Sequence, residues 1–281
     1  MKHRVYVDGM ALWSSQWGDW AQARAALRGE SSGPAPEPTS AASPTAATAP
    51  RPAPALLAAN ERRRAPDTVL LALEVATQAC AASGHDRSAL VSVFASTHGD
   101  LPTTDALCRT LASNPLLLSP TRFHHSVHNA ASGYWAIGTG SHAASTALSG
   151  GVHTFATAWV EAASQCLSTQ QAVLLVLYDT EACGPLVSVN TSRGLLAMAW
   201  VLAPAAGPRS SCCVEWSVAE QAVSAPPVRS PAARELSANA SAHALPLMEA
   251  LAQQEDAHLA WPLSAALALQ LQLQNLTTTR A

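Results

Sequence analysis

The sequence predicts an α/β protein, a parallel or mixed β-sheet with helices laid over it. The run at residues 172–178, AVLLVLY, is apolar throughout and closed by Asp179, the pattern of a strand buried on both faces. Residues 118–166 supply the helical partners. A helix rich in small residues (129–137) leads through a loop marked by Gly138 and Gly140 to a β-prone run at 145–148. The turn Ser149-Gly150-Gly151 then opens a second apolar helix from His153 to about Cys166. A strand buried on both faces among such helices requires them as cover.

In chain order, residues 5–12 alternate as a strand, and 19–27 form a short helix with Trp20, Ala23 and Leu27 at helical spacing. Residues 31–55, rich in Pro, Ala and Ser, cannot bury enough apolar area to offset ordering entropy, so a disordered loop is expected. Helix resumes with Asp67 as N-cap after Pro66, shows Val69, Leu70, Leu73, Val75 and Ala76 on its apolar face, and ends at Gly84. A β-prone run at 89–96, the polar turn Thr97-His98-Gly99-Asp100 and a helix at 103–112 follow. Beyond the central strand, 197–202 and 212–218 read as strands joined into a hairpin by PAAGPRSS. Residues 221–235 look loose, 243–253 form a helix with Leu245, Leu247, Met248 and Leu251 on one side, and the LALQLQLQ alternation makes 265–273 a final strand. The expected organisation is one unit from 1–30 and 56–220, interrupted by the 31–55 loop and completed by 221–281.

Composition narrows the function. With 48% hydrophobic and only 12% charged residues, the 281-residue chain fills a core generously and leaves a charge-poor surface, which implies that a partner covers part of it. A net charge of -3 gives no electrostatic case for nucleic acid. The basic start Met1-Lys2-His3-Arg4 is followed by VYVDGMALWSS, where Asp8 and Gly9 interrupt any secretory core, so this stretch reads as a strand. The longest apolar runs, beginning at Ala172 and Leu195, fall short of the ~20 residues that span a bilayer, and a cytoplasmic protein is expected. The six cysteines, at 80, 108, 166, 183, 212 and 213, lack Cys-x-x-Cys spacing and read as buried free thiols.

Few residues offer chemistry. The turn at Gly150, Gly151 and Val152 opens a helix, where a nucleophile would gain from the dipole, yet it carries glycine and valine. His125 and His128, near His124, would meet on one helical face, but no third or fourth ligand is evident, so neither metal nor cofactor is expected. Ser96, His98 and Asp100 have the residue types of a hydrolase triad but lie too close in sequence to converge, and His98 and Asp100 are expected to stabilise their turn. An independent acyltransferase or thioesterase using Ser96 or another hydroxyl is the rival function. The consecutive Arg62, Arg63 and Arg64 could dock an acidic carrier protein or simply form a solvated helix entrance. Trp135 and Trp159 suit core packing or an acyl tunnel.

Several phrases carry a family resemblance: GMALWSS near the start, ERRRAPDTVLLALEVA from Glu61, VFASTHGDLPTTDALCRTLA from Val93, and SPTRFHHSVHNAASGYWAIGTGSHAASTALSGG from Ser119. They resemble the β-ketoacyl synthases of the thiolase superfamily, and most closely the short ketosynthase-like N-terminal domain proteins found beside aryl polyene synthesis enzymes. The resemblance implies a thiolase-like α/β/α layered mixed sheet, essentially the N-terminal half of a ketosynthase. In that family a strand ends in the nucleophilic cysteine, which the alignment puts at or next to Val152. No cysteine lies between Cys108 and Cys166, and a valine cannot form a thioester. The family's further histidines and lysine come from a second half for which the chain is too short. The resemblance therefore implies a subunit silent on its own, of the chain-length-factor type, in a heterodimer with an active β-ketoacyl synthase that is served by an acyl carrier protein. His128, Asn129 and Trp135 would line the vestigial pocket, Ser145, Thr146, Ala147 and Leu148 would form the strand shared with the partner, and Arg62, Arg63 and Arg64 would receive the carrier.

Overall fold

The computed structural model describes residues 2–30 and 51–276, so most of the expected loop, residues 31–50, lies outside the described residues. Residues 51–55 depart from that expectation, because Pro52 and Pro54 are buried and Arg51 is held by Asp67 and the Ala65 carbonyl.

The strands are β1 (His3–Ser14), β2 (Val91–Ala95), β3 (Ser145–Leu148), β4 (Val173–Asp179), β5 (Leu196–Ala203), β6 (Cys212–Glu220), β7 (Ala257–Pro262) and β8 (Leu267–Asn275). They build one mixed sheet in the order β3-β2-β4-β5-β1-β6-β8-β7. β2 runs parallel to β3 and β4, and the remaining pairs are antiparallel. The helices are α1 (Trp20–Leu27), α2 (Ala59–Arg64), α3 (Asp67–Ser83), α4 (Leu101–Ser113), α5 (Pro120–Ser126), α6 (Ala130–Thr139), α7 (Thr154–Thr169), α8 (Pro231–Glu235) and α9 (Leu245–Gln253).

Period-two side-chain alternation divides the centre of the sheet into two cores. Val173, Leu175 and Leu177 of β4 join Met198, Trp200 and Leu202 of β5 under α1, α7, α8 and α9. Their neighbours Leu174, Val176, Tyr178, Ala197, Ala199 and Val201 face α3 and α6. This is the expected α/β/α layering, and β4 is buried at every position. The small residues of β5 lie on the α3 side, where the helix approaches closely.

That approach also reaches β1. The register of β1 against β5 slips between Val7 and Gly9, a bulge that leaves Asp8 out of the ladder. Asp8 is then bonded by Ser210 Oγ (2.6 Å) and His85 Nε2 (2.8 Å). The bulge brings Gly9 against α3, where a Cβ would land on the Ala79 carbonyl oxygen and 2.7 Å from the Ser83 nitrogen.

Three local expectations change. β5 and β6 form no hairpin, because β1 lies between them, pairing β5 through residues 6–14 and β6 through residues 3–7. A twelve-residue strand apolar on both faces has the backbone length and the burial to take that central place. Asp67 is the first residue of α3 rather than its cap, and Pro66 at the cap position offers no side-chain bond. β7 escapes sequence reading because AHLAWP is short and ends in proline.

Gly9→Ala should force α3 away from β1. A loss of roughly 1–3 kcal/mol, as overpacking typically costs, is expected from urea unfolding, with secondary structure retained by circular dichroism.

Candidate functional site

At the carboxyl end of β4, beside the end of β2, lies Asp179, only 1% exposed. The carboxyl ends of parallel strands, here β2 and β4, are where α/β folds place ligands. Its carboxylate accepts hydrogen bonds from Ser96 Oγ (2.9 Å), Ser241 Oγ (2.7 Å) and the backbone N–H groups of Thr97 (3.0 Å) and His98 (3.2 Å). Burial pushes its carboxyl above the ordinary aspartate range, and those donors pull back towards the ionised form. Nearby, Asn239 Nδ2 donates to the carbonyls of Asp179 (3.3 Å), Arg193 (3.1 Å) and Gly194 (3.1 Å), while Ser192 Oγ donates to the Thr180 carbonyl (2.7 Å). The loops after β2 and β4 and the turn before α9 are thus tied to one strand end.

Above this knot is a cavity of about 350 Å³, with Thr97, His98, Val152, Asn190, Asn239 and His243 among its walls. An apolar recess of about 160 Å³ adjoins it and shares Val152 and His243. Phe155 and Trp261 line the recess with ring centroids 4.9 Å apart in an edge contact, and Trp200 and Trp159 continue the cluster below. Partial burial and the neighbouring His153 push the His243 imidazole below its ordinary range, favouring its neutral form. His153 Nδ1 has no hydrogen-bond partner among the described residues. His153, His243, Asp179 and Asn239 drew no notice as site residues in the sequence, because their convergence depends on segments far apart in the chain.

The turn between β3 and α7 forms the remaining wall. Gly151 takes φ +58°, a left-handed conformation that favours glycine, and Thr154 Oγ1 donates to its carbonyl (2.7 Å). Val152 borders both chambers and is 69% exposed. β3 ends at Leu148, four residues earlier. From Leu148 to His153 there is no thiol, and the hydroxyl of Ser149 donates to the Thr97 carbonyl (3.0 Å). The thiols of Cys80, Cys166 and Cys212 lie in the core, where burial pushes each up to about 12 and suppresses the thiolate. Cys108 is exposed and Cys183 partly so, contrary to the expectation of uniformly buried thiols.

Other expected site residues are dispersed. His125 sits in α5 and meets Tyr134 Oη (3.0 Å), whereas His128 follows the helix and meets the Ser96 carbonyl (3.0 Å), so they do not share a helical face. Neither His128, Asn129 nor Trp135 borders the two chambers at Val152. Trp135 is core, 6.4 Å from Phe94 between ring centroids, because α6 turns that side towards α3. Asn129 is exposed at the start of α6, its carbonyl accepting from Ser132 Oγ. Ser96 is fully buried and its hydroxyl points to Asp179 instead of a histidine, while Asp100 caps α4 through the Thr103 N–H (2.6 Å). The Ser96, His98 and Asp100 set therefore has no triad geometry.

Asp179→Ala would leave two backbone N–H groups and two hydroxyls without their acceptor. A loss of roughly 1–3 kcal/mol or more is expected in chemical denaturation, from donors left unpaired. Hydrogen exchange should quicken at Thr97 and His98 first.

The comparisons place this geometry among known proteins. The family model described as β-ketoacyl synthase, N-terminal domain matches residues 35–266. No curated protein matches the sequence. Among solved structures, a chain from the complex of the ketosynthase ApeO with its chain length factor ApeC, from Xenorhabdus doucetiae, is 18% identical with a TM-score of 0.69, covering 95% of this chain and 98% of that one. A chain of the ishigamide ketosynthase/chain length factor is 15% identical with a TM-score of 0.66, over 98% and 100%. A chain from AntDE:AntF, a type II PKS acyl-carrier protein in complex with its ketosynthase bound to the hexaketide, is 11% identical with a TM-score of 0.68, over 98% and 100%. At such identities the likeness is one of fold. With more than half of its residues under the family model and a thiolase-like mixed sheet beneath them, the chain belongs to the β-ketoacyl synthase N-terminal domain family.

Proposed function

We propose that this chain is a non-catalytic, chain-length-factor-type subunit that pairs with an active β-ketoacyl synthase in cytoplasmic aryl polyene or related polyketide and fatty acid biosynthesis. One observation carries the reading: the strand, turn and helix N-terminus that present a nucleophile in this family run here from Leu148 to His153 without a thiol. The nucleophile position expected at or next to Val152 lies past the end of β3, which stops at Leu148, and Val152 is a wall of the chamber. Bounding that chamber for an acyl chain held by the partner is the role this assigns to the Phe155 and Trp261 floor.

Two features support pairing. β3 lies at an edge of the sheet among the described residues, hydrogen-bonded only to β2, so Ser145 to Leu148 offer an unpaired backbone edge. The segments leading into it expose the large apolar side chains of Leu116 (93%), Phe123 (65%) and Ile137 (84%). For the carrier protein, Arg63 and Arg64 are exposed at the end of α2, while Arg62 is half-buried and bonded to the Ala53 and Pro54 carbonyls. Among the described residues, no helix is long and apolar enough to cross a membrane.

The purified chain, incubated with an acyl carrier thioester, should acquire no covalent acyl adduct by intact-mass measurement; an adduct on any residue of 118–166 would overturn the reading. In co-purification with the cognate ketosynthase, Leu148→Asp should abolish the heterodimer, since an unpaired carboxylate would be buried. Because Leu148 also packs on the core, Ile137→Arg is the companion: it touches only surface and should still weaken pairing. Arg62→Ala should leave assembly intact and at most weaken carrier docking.

A further inference from the structure

We propose that the arginine-lined cavity between the starts of α3 and α4 is a binding site for a phosphate ester. It holds about 320 Å³ and is separate from the chambers at Val152. Arg51, Arg63, Arg64 and Arg122 stand around it, brought from the segment before α2, from α2 itself and from α5. Two carboxylates, Asp67 and Asp100, also border it, and both are engaged by the protein. Asp67 pairs with Arg51, and Asp100 accepts from Thr68 Oγ1 (2.7 Å) and the Thr103 N–H (2.6 Å). The side chains of Arg63, Arg64 and Arg122 make no hydrogen bond or ion pair among the described residues, where Arg122 is bonded only through its backbone N–H to Ser119 Oγ, so three guanidinium groups remain uncommitted at one cavity.

A second observation points to a ligand. Thr180, at 2% exposure, lines the same cavity, and its hydroxyl has no hydrogen-bond partner among the described residues. A buried hydroxyl left unpaired is costly unless something else meets it. α3 also begins here without a side-chain cap, leaving the N–H groups of its first turn free at the positive end of a 17-residue helix.

The donor set selects the ligand class. One guanidinium fork satisfies the two oxygens of a carboxylate, whereas three forks, a hydroxyl and free helix N–H groups match the greater charge and the several oxygens of a phosphate ester. His125 borders the cavity, but burial pushes its imidazole below the ordinary range, so the attraction falls to the arginines. The site needs no partner subunit and goes beyond the pairing reading, which stands or falls separately by co-purification. The ester could be a free small molecule or the phosphodiester of a prosthetic arm on a carrier protein, and the test separates these sources.

Calorimetric titration of the full chain at fixed ionic strength would use pyrophosphate, coenzyme A, acetate, and a carrier protein with and without its phosphodiester arm. Saturable one-to-one binding of pyrophosphate or coenzyme A but not acetate identifies a free ester; binding only of the carrier with its arm identifies the tethered one. In either case Arg122→Gln, and the Arg63→Gln/Arg64→Gln pair, should each weaken binding by roughly tenfold or more, as expected for charge-assisted bonds. Arg87→Gln, exposed and outside the cavity, should leave it unchanged. All four positions are exposed, and circular dichroism would verify folding. Absence of saturable binding in every arm would overturn the assignment. So would a carrier that binds equally well without its arm, or a loss in Arg87→Gln equal to that in Arg122→Gln.

Discussion

A carboxylate taken almost wholly out of water at the end of a central strand must be met by donors, and at Asp179 those donors come from two separate segments. Ser96, Thr97 and His98 follow β2, Ser241 precedes α9, and Asn239 binds the neighbouring carbonyls. The position of each loop is therefore tied to the same buried carboxyl group, and the walls of the chamber at Val152 inherit that order. Burial raises the cost of ionising the carboxyl, while each donated bond lowers it. The chamber's geometry rests on this balance.

The sheet beneath makes such a knot possible. β4 and β5 send alternate side chains into two separate cores, so the strand end bearing Asp179 is clamped from both faces. On one face α3 can sit close because Ala197, Ala199 and Gly9 keep the surface low. On the other, Phe155, Trp159, Trp200 and Trp261 fill the space with tilted and edge-oriented rings. Of these rings, Phe155 and Trp261 form the floor of the recess that shares Val152 and His243 with the larger chamber.

The turn between β3 and α7 forms a wall of that chamber. A helix N-terminus favours a thiolate, yet the six residues from Leu148 to His153 supply apolar carbon, glycine, one hydroxyl tied to a backbone carbonyl and the imidazole of His153, and no thiol. The cysteines with strongly raised pKa are dispersed through the core and are poor nucleophiles there. What the fold keeps is the frame of the site: the parallel strand ends, the left-handed Gly151 and the imidazoles of His98 and His243 around a cavity.

The sequence by itself determined the local elements, because apolar periodicity and turn chemistry act over a few residues. It marked β4 by its unbroken apolar run, α3 by its spaced aliphatics and Gly84, β8 by Leu and Gln alternation, and the missing thiol by inspection. The motifs around Ser119 to Gly151 also carried the family. Strand order was a different matter: two adjacent strands read as a hairpin, yet β1 entered between them, since pairing depends on which edge is free once both cores have formed. Site membership was likewise decided by tertiary structure. His128, Asn129 and Trp135 lie near the motif in sequence yet line neither chamber, His128 meeting the Ser96 carbonyl close by, whereas Asp179, Asn239 and His243 are distant in sequence and brought together at the strand end. A buried carboxylate recruits donors by proximity in three dimensions, and no local pattern records which distant segments will supply them.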